Sequence, residues 1–399
     1  MMPVSLCDGV YWVGAVDAGL RDFHGYETDR GTTYNAYLVR DRETALIDTV
    51  KKGFAGTLLA NVAEIVPLDK VDWVVCNHAE PDHAGSLPEV MAALPNATLV
   101  CTEKCRQTLA LFFDMTAWKV RIIGPGDTLP LGDRTLEFVQ TPLAHWPESM
   151  FTFLPQDGVL FSMDAFGQHY GTPERFDNAS DLDAVMDEAA AYYANILLPF
   201  GTPTAKAMAA AEKLPVRMIA PSHGVIWRGH LDRILAGYKA WTAGAVCNKV
   251  VVLCDTMWGA TERMAEELAA GAADAGAETV LLPVRKASLT RIAREVMDAA
   301  AVAVGSPTVN GGIMPQMGAV LTHLQGLKPA PKAAVAFGAY GWAKGGAEGV
   351  QTVLESMRWE IIAEPLRVQY RPTEDDLRRC RETGAQLAQK AAEKAGAGK

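Results

Sequence analysis

Apolar and polar positions alternate, or apolar residues run together in short stretches, over residues 9–16, 33–39, 44–48 and 71–75, the spacing expected of strands. Residues 57–66, 86–94 and 103–113 carry the wider spacing of helices, with a strand over 97–101 between the last two. Beyond Trp118 the period returns to two: 120–123, 135–140, 150–154 and 159–163 read as strands separated by Gly, Pro and Asp turns. A strand over 216–220 and a helix over 231–241 close this region, predicting a mixed sheet architecture with helices interspersed. After Gly244 the pattern restarts near Asn248 with a strand over 249–254 and a long Ala- and Glu-rich helix over 262–275. Strands over 301–305 and 333–337 follow, each running into a loop, and an Ala-rich, helix-like tail leads to Lys399. Two domains are expected, 1–247 and 248–399.

The length of 399 residues supports that division, since each part is long enough to bury its own core. A formal charge of −10 disfavours adhesion to nucleic acid or to an acidic membrane surface. The first residues have no basic region and carry Asp8 within the apolar run, which speaks against a secretory signal, and no apolar segment is long enough to span a bilayer. Seven cysteines, an odd number without a C-x-x-C pair, argue against a disulfide framework and a rubredoxin-type or zinc-ribbon site in this chain, and fit a reducing cytoplasm.

Candidate chemistry concentrates first in Cys76-Asn77-His78-Ala79-Glu80-Pro81-Asp82-His83-Ala84-Gly85, where four metal-ligating side chains fall within six positions. A strand ending at His78 would aim His78 and Glu80 to one side, and Pro81 would turn the chain so that Asp82 and His83 reach a second point. Two pairs aimed at two points suggest two metal ions. The plainer alternative is a polar loop with Asp82 capping the next helix. His145, Asp164 and His223 each stand where a predicted strand gives way to a loop, the usual place for a scaffold to present chemistry. Any one of them alone would be an ordinary surface or turn residue.

The second domain offers three loops at strand ends. The stretch Thr256-Met257-Trp258-Gly259-Ala260-Thr261 joins the first strand to a helix N-terminus, an anion site by virtue of free backbone N–H groups and the positive helix end. It has neither Gly-x-x-x-x-Gly-Lys nor Gly-x-Gly-x-x-Gly, which leaves a phosphate monoester as the better ligand. The alternative is a capped helix with Thr261 as its N-cap. Ser306, Pro307, Thr308, Asn310 and Gly311 form the second loop, and Gly338, Ala339, Tyr340, Gly341 and Trp342 the third. Parallel sheets bind ligands at this edge; glycines there admit a flat ring, and Trp258, Tyr340 and Trp342 are placed to stack on it.

These residues carry a family resemblance. His78-x-Glu80-x-Asp82-His83 followed by His145, Asp164 and His223 resembles the metallo-β-lactamase fold, with Glu80 standing where its hydrolases have a second His. The resulting three carboxylates make a harder ligand set than zinc hydrolases use and favour redox-active iron. The second half resembles flavodoxin, which implies FMN; Thr256 and Thr261 match that family's hydroxyl positions, and Ala260 departs from a common Ser or Thr. The two modules in this order resemble a flavodiiron protein over nearly the whole chain, including Asp22-Phe23-His24-Gly25-Tyr26, Thr32 to Tyr37, His145-Trp146-Pro147 and Phe166-Gly167-Gln168. The implied architecture is an N-terminal metallo-β-lactamase-like αββα sandwich followed by a flavodoxin-like, doubly wound parallel sheet.

The resemblance implies reduction of O2 to water, of NO to N2O, or both, at a non-heme diiron site supplied through FMN. By position, one iron would take His78, Glu80 and His145, the other Asp82, His83 and His223, with Asp164 bridging; Tyr192 and His24 resemble residues that donate to bound substrate. Two ferrous ions and a reduced flavin together hold the four electrons that O2 needs. Rubredoxin is the implied donor, a reduced deazaflavin the second choice, and a head-to-tail homodimer, or a tetramer of such dimers, the implied assembly. The competing function is a zinc hydrolase of the glyoxalase or lactonase kind, which Glu80 and the flavin module argue against.

Overall fold

The computed structural model describes residues 2–397; Met1 and the final Gly398 and Lys399 of the Ala-rich tail lie outside the described residues. Two units result, Met1–Lys239 and Ala240–Lys399. Asn248, the expected boundary, is the second residue of the opening strand of the second unit, Cys247–Cys254. Among the described residues, no helix is long and apolar enough to cross a membrane.

In the first unit a seven-stranded sheet runs Val4–Cys7, Val10–Trp12, Tyr37–Arg40, Thr44–Ile47, Trp73–Val75, Thr98–Thr102, Lys119–Ile123. A five-stranded sheet runs Thr128–Pro130, Thr135–Gln140, Met150–Leu154, Val159–Met163, Met218–Pro221. Strand alternation sorts the first sheet's side chains into two cores. Leu38, Leu46, Val74 and Leu99 join Leu58, Val62, Val90 and Leu109 from the helices Ala55–Ala63, Leu87–Ala93 and Glu103–Phe112. Val39, Ile47, Val75 and Val100 meet Phe138, Met150, Val159 and Phe161 of the second sheet. The result is a sheet-on-sheet sandwich with helices on the first sheet's outer face. Helices Leu182–Tyr192 and Gly201–Ala211 lie between the second sheet's strands Val159–Met163 and Met218–Pro221, without having been read from the sequence.

Two strands differ from the expectation for physical reasons. The run 33–39 is split into Thr32–Tyr34 and Tyr37–Arg40. Asn35 leaves the ladder: its N–H donates to Ser222 O at 2.8 Å, and its side chain donates to Pro221 O and Gly224 O while accepting from the Trp12 indole. The run 9–16 is split at Gly14, where a Cβ would meet Tyr34 O at 2.1 Å.

In the second unit every strand pair is parallel, in the order Glu278–Pro283, Cys247–Cys254, Ala299–Gly305, Ala333–Tyr340, Glu360–Ile361, with Leu366–Gln369 also pairing with Ala333–Tyr340. Both faces are covered, as an all-parallel sheet requires. Val250, Val252 and Ala303 pack on Met264, Leu268, Leu387 and Ala391 of helices Ala260–Asp274 and Glu374–Ala397. Val251, Leu253 and Val304 pack on Ile292, Leu321 and Leu354 of helices Leu289–Asp298, Pro315–Leu327 and Gly346–Ser356.

Candidate functional site

All seven expected metal ligands converge in the first unit. The strand Trp73–Val75 stops three residues before His78, a correction to the expected strand end, and the loop is held by Asp48, which accepts from Asn77 N at 2.7 Å and from Asn77 Nδ2 at 2.9 Å. Pro81 opens the one-turn helix Pro81–Ala84, which carries Asp82 and His83 to a second point as the spacing predicts. His145 follows Thr135–Gln140, Asp164 follows Val159–Met163, and His223 follows Met218–Pro221.

Glu80 Oε2 lies 3.1 Å from both His78 Nε2 and His145 Nε2, and Asp164 Oδ2 lies 3.2 and 3.3 Å from the same two nitrogens. On the other side Asp82 Oδ2 is 3.0 Å from His223 Nε2 and 3.4 Å from His83 Nε2. Asp164 Oδ1 is 3.0 Å from His83 Nε2 and 3.5 Å from His223 Nε2. Atoms bound to one ion at about 2.1 Å and at right angles are about 3.0 Å apart, so these spacings suit two ions sharing the Asp164 carboxylate. Asp82 Oδ1, His83 Nε2, Asp164 Oδ2 and His223 Nε2 are buried and without a hydrogen-bond partner, which a metal would resolve.

Electrostatics agree with this donor set. Burial alone would lower the four imidazoles, but the carboxylates reverse it: His145 is raised to about 9 and His223 to about 10, chiefly by Asp164 after burial, and His78 and His83 also rise. Burial pushes Glu80 up, yet His145 and His78 bring it down to about 2; Asp82 and Asp164 are likewise lowered against burial by neighbouring histidines. A pocket that favours positive charge at four imidazoles in this way favours cations that replace those protons.

Tyr192 and His24 both reach the centre. Tyr192 donates to Asp164 Oδ1 at 2.7 Å, with its own proton held by burial and by Asp164. His24 Nε2 lies 3.2 Å from Glu80 Oε1 on the hairpin Asp22–Phe23/Tyr26–Glu27, so it is more than a surface-loop residue. The sequence reading missed Glu148, whose Oε1 lies 2.8 Å from His78 Nδ1, and His169, whose ring packs 4.8 Å from that of Tyr192 and 5.4 Å from that of His223. Burial first, and then His223, keep His169 well below the usual histidine range. Glu148 carries a faint signal in its position three residues after His145; His169 carries none beyond its place after Phe166-Gly167-Gln168.

In the second unit the three strand-end loops enclose a cavity of about 690 Å³, within the ~300–1,000 Å³ of cofactor clefts. Thr256, Met257, Trp258, Ala260, Thr261, Pro307, Thr308, Asn310, Gly311, Ala339, Tyr340, Gly341 and Trp342 line it as expected, joined by Val309, Ala343 and Tyr370. No lining residue is charged. Gly259, Ser306 and Gly338, also expected there, do not line it. Gly259, at φ +84°, is the N-cap of Ala260–Asp274, so the alternative of Thr261 as the cap does not hold. Ser306 Oγ accepts from Met314 N at 2.9 Å, and a Cβ on Gly338 would meet Ser306 O at 1.9 Å. The Thr261 hydroxyl is buried and accepts from Ala339 N at 3.2 Å, tying the first loop to the third. Tyr370 follows Leu366–Gln369, too short a strand to have been singled out.

Comparison with known proteins matches residues 32–224 to the ODP family beta lactamase and residues 252–384 to flavodoxin. The nitric oxide reductase of Moorella thermoacetica is 43% identical over 396 residues, covering 98% of this chain and 99% of that protein. The crystal structure of the flavodiiron protein from Giardia intestinalis superposes with a TM-score of 0.97 at 39% identity, covering 99% of this chain and 98% of the other. Rubredoxin oxygen:oxidoreductase from the anaerobe Desulfovibrio gigas superposes with a TM-score of 0.94 at 36% identity, covering 98% of this chain and 99% of the other.

Proposed function

The chain belongs to the flavodiiron protein family, and from that premise we propose that it reduces O2 to water, NO to N2O, or both, at a non-heme diiron site fed through FMN. The observation that carries this reading is the Asp164 carboxylate. Its Oδ2 faces His78 and His145 and its Oδ1 faces His83 and His223, so one side chain spans two ligand groups. One iron would be held by His78, Glu80 and His145, the other by Asp82, His83 and His223. When bound, the two ions supply open coordination positions and two electrons, and reduced FMN supplies two more.

The protein's own groups hold and orient. Glu148 fixes the tautomer of His78, and the Thr33 carbonyl, 2.6 Å from His223 Nδ1, does so for His223. Tyr192 keeps a proton beside the shared carboxylate, and His24 places a ring nitrogen at the edge of Glu80, two groups placed to serve a reduction that consumes protons. In the second unit the N–H groups opening Ala260–Asp274 would hold the FMN phosphate, and Trp258, Tyr340 and Trp342, which line the cleft, would hold the flavin ring. The zinc-hydrolase alternative is disfavoured by the flavodoxin half, which hydrolysis does not need.

Rubredoxin or a similar small carrier is the proposed donor, supported by the name of the Desulfovibrio gigas relative. A head-to-tail homodimer is proposed as the working unit: Trp258 and Trp342, 95% and 91% exposed at the rim of the cleft, are surface that a second copy would cover. A cytoplasmic location accords with seven unpaired thiols.

The deciding experiment combines iron and flavin analysis with anaerobic stopped-flow oxidation of the reduced protein by O2 and by NO. Two irons and one FMN per chain, with oxidation by at least one gas, are expected. Zinc in place of iron, or a reduced protein inert to both gases, would reject the proposal.

A further inference from the structure

We propose that His169 is a positioning residue for the second metal group, acting on His223 through Thr32 and the Thr33 carbonyl. This rests on the diiron reading above. Thr32 Oγ1 lies 2.9 Å from His169 Nδ1 and makes a long hydrogen bond, 3.4 Å, to Thr33 O. Thr33 O is in turn 2.6 Å from His223 Nδ1, and Thr33 Oγ1 accepts from Gly224 N at 2.7 Å.

One assignment of protons satisfies this chain. His223 must leave Nε2 free to face Asp82, so its Nδ1–H donates to Thr33 O. Thr32 has a single hydroxyl proton; given to Thr33 O, it leaves Oγ1 to accept from His169 Nδ1–H. His169 thus anchors a line of hydrogen bonds that ends on the carbonyl holding a ligand. The side chain is nine-tenths buried and its Nε2 has no partner, so nothing competes for it from the far side. Its ring is wedged edge-on against Phe23 and Tyr192, at 4.8 Å from each. Gln168 locks the backbone beside it, its N–H donating to His223 O at 3.2 Å and its Oε1 accepting from Val225 N at 2.7 Å. Both ends of His223 are therefore referred to the 164–169 turn, the segment that also carries the shared carboxylate.

Of the ligands, the line reaches His223 alone, which shares its group with Asp82 and His83; no hydrogen bond of the line reaches His78, Glu80 or His145. Loss of the line should loosen one iron and spare the other. Removal of an outer partner of a metal-bound histidine costs about 10–100-fold in affinity.

The test is chelator-driven iron release from the 57Fe-loaded holoprotein, followed by Mössbauer spectroscopy. His169→Phe keeps a ring against Tyr192 and loses the link to Thr32; Thr32→Val deletes only the hydroxyl. Each should speed release of one of the two irons by about 10-fold or more and change that iron's spectrum alone, and the double variant should be no worse than either single one. His169→Asn, which can again donate to Thr32, should recover part of the loss. Should His169→Phe lower the unfolding midpoint, Thr32→Val alone decides. Release of both irons at the parent rate, or multiplicative effects of the two changes, overturns the inference. A parent protein that binds no iron would instead overturn the functional reading.

Discussion

Glu148 Oε1 lies 2.8 Å from His78 Nδ1, and neither side chain touches solvent. A carboxylate so placed makes Nδ1 the protonated nitrogen and turns Nε2 toward the metal position, while its charge makes the imidazole a better donor. Glu148→Gln keeps the shape and loses the charge, and its amide nitrogen can donate to Nδ1 and invert the tautomer. The expected outcome is about a 10–100-fold loss of affinity for the ion at His78, Glu80 and His145, read by chelator competition. It mirrors the effect expected of His169 on the other ion.

Glu80 is the residue that separates this ligand set from a zinc hydrolase's. Its Oε2 sits between His78 and His145, and its Oε1 faces His24. Glu80→His removes one of three carboxylates and offers a softer donor. Elemental analysis should then find zinc in preference to iron, with gas reduction lost and FMN stoichiometry unchanged; retained iron with parental turnover would contradict this.

Thr261 has two tasks in one hydroxyl. It accepts from Ala339 N, which leaves its own proton to donate to the phosphate of the proposed FMN, so Thr261→Ala frees a buried N–H and would remove a donor to that anion. Hydrogen bonds to charged groups are worth roughly 1.5–3 kcal/mol, so FMN should bind about 10–100-fold more weakly, as read by flavin fluorescence titration. Thr261→Ser, which keeps the hydroxyl, should bind FMN nearly as the parent does.

Lys332 is fully buried, with Nζ donating to Met297 O at 2.8 Å, and burial lowers it to about 7 against the opposing effect of Asp298. In the unfolded chain the amine titrates near ~10.4. Between those values the unfolded chain holds the extra proton, so stability rises with pH from about 7 toward 10, and the penalty for burying the amine is fully felt below about 7. Lys332→Met should flatten that dependence and stabilise the second unit at pH 7 by on the order of a few kcal/mol. Thermal unfolding at pH 7 and pH 9 checks both.

The convergence of the candidate metal ligands was legible because their signal is local. Four lie within six positions, and the other three follow strands whose alternation is plain. Glu148 was not legible, because a lone carboxylate shows its purpose only once it is brought beside His78. The same holds for Asn35, whose alternating neighbours read as one strand while its hydrogen bonds to Pro221, Ser222 and Gly224 break it. Helices Leu182–Tyr192 and Gly201–Ala211 are rich in alanine, which marks no face strongly. In the second unit the loops were read correctly as a cleft, but close backbone approach at Gly338 and the short strand leading to Tyr370 depend on packing that no spacing encodes.

The route by which the ligands are gathered has a consequence for how the protein is made. His78 and His223 follow strands at distant points in the chain, and the strand before His223, Met218–Pro221, pairs with Val159–Met163 across two intervening helices. Such long-range pairing is a late and slow event in folding. During synthesis the nascent chain exposes His78, Glu80, Asp82 and His83 long before the residue that completes the second ion's set has left the ribosome. The group His78, Glu80, His145 and Asp164 is thus complete in the chain before the group Asp82, His83 and His223, which waits for the strand that closes the second sheet.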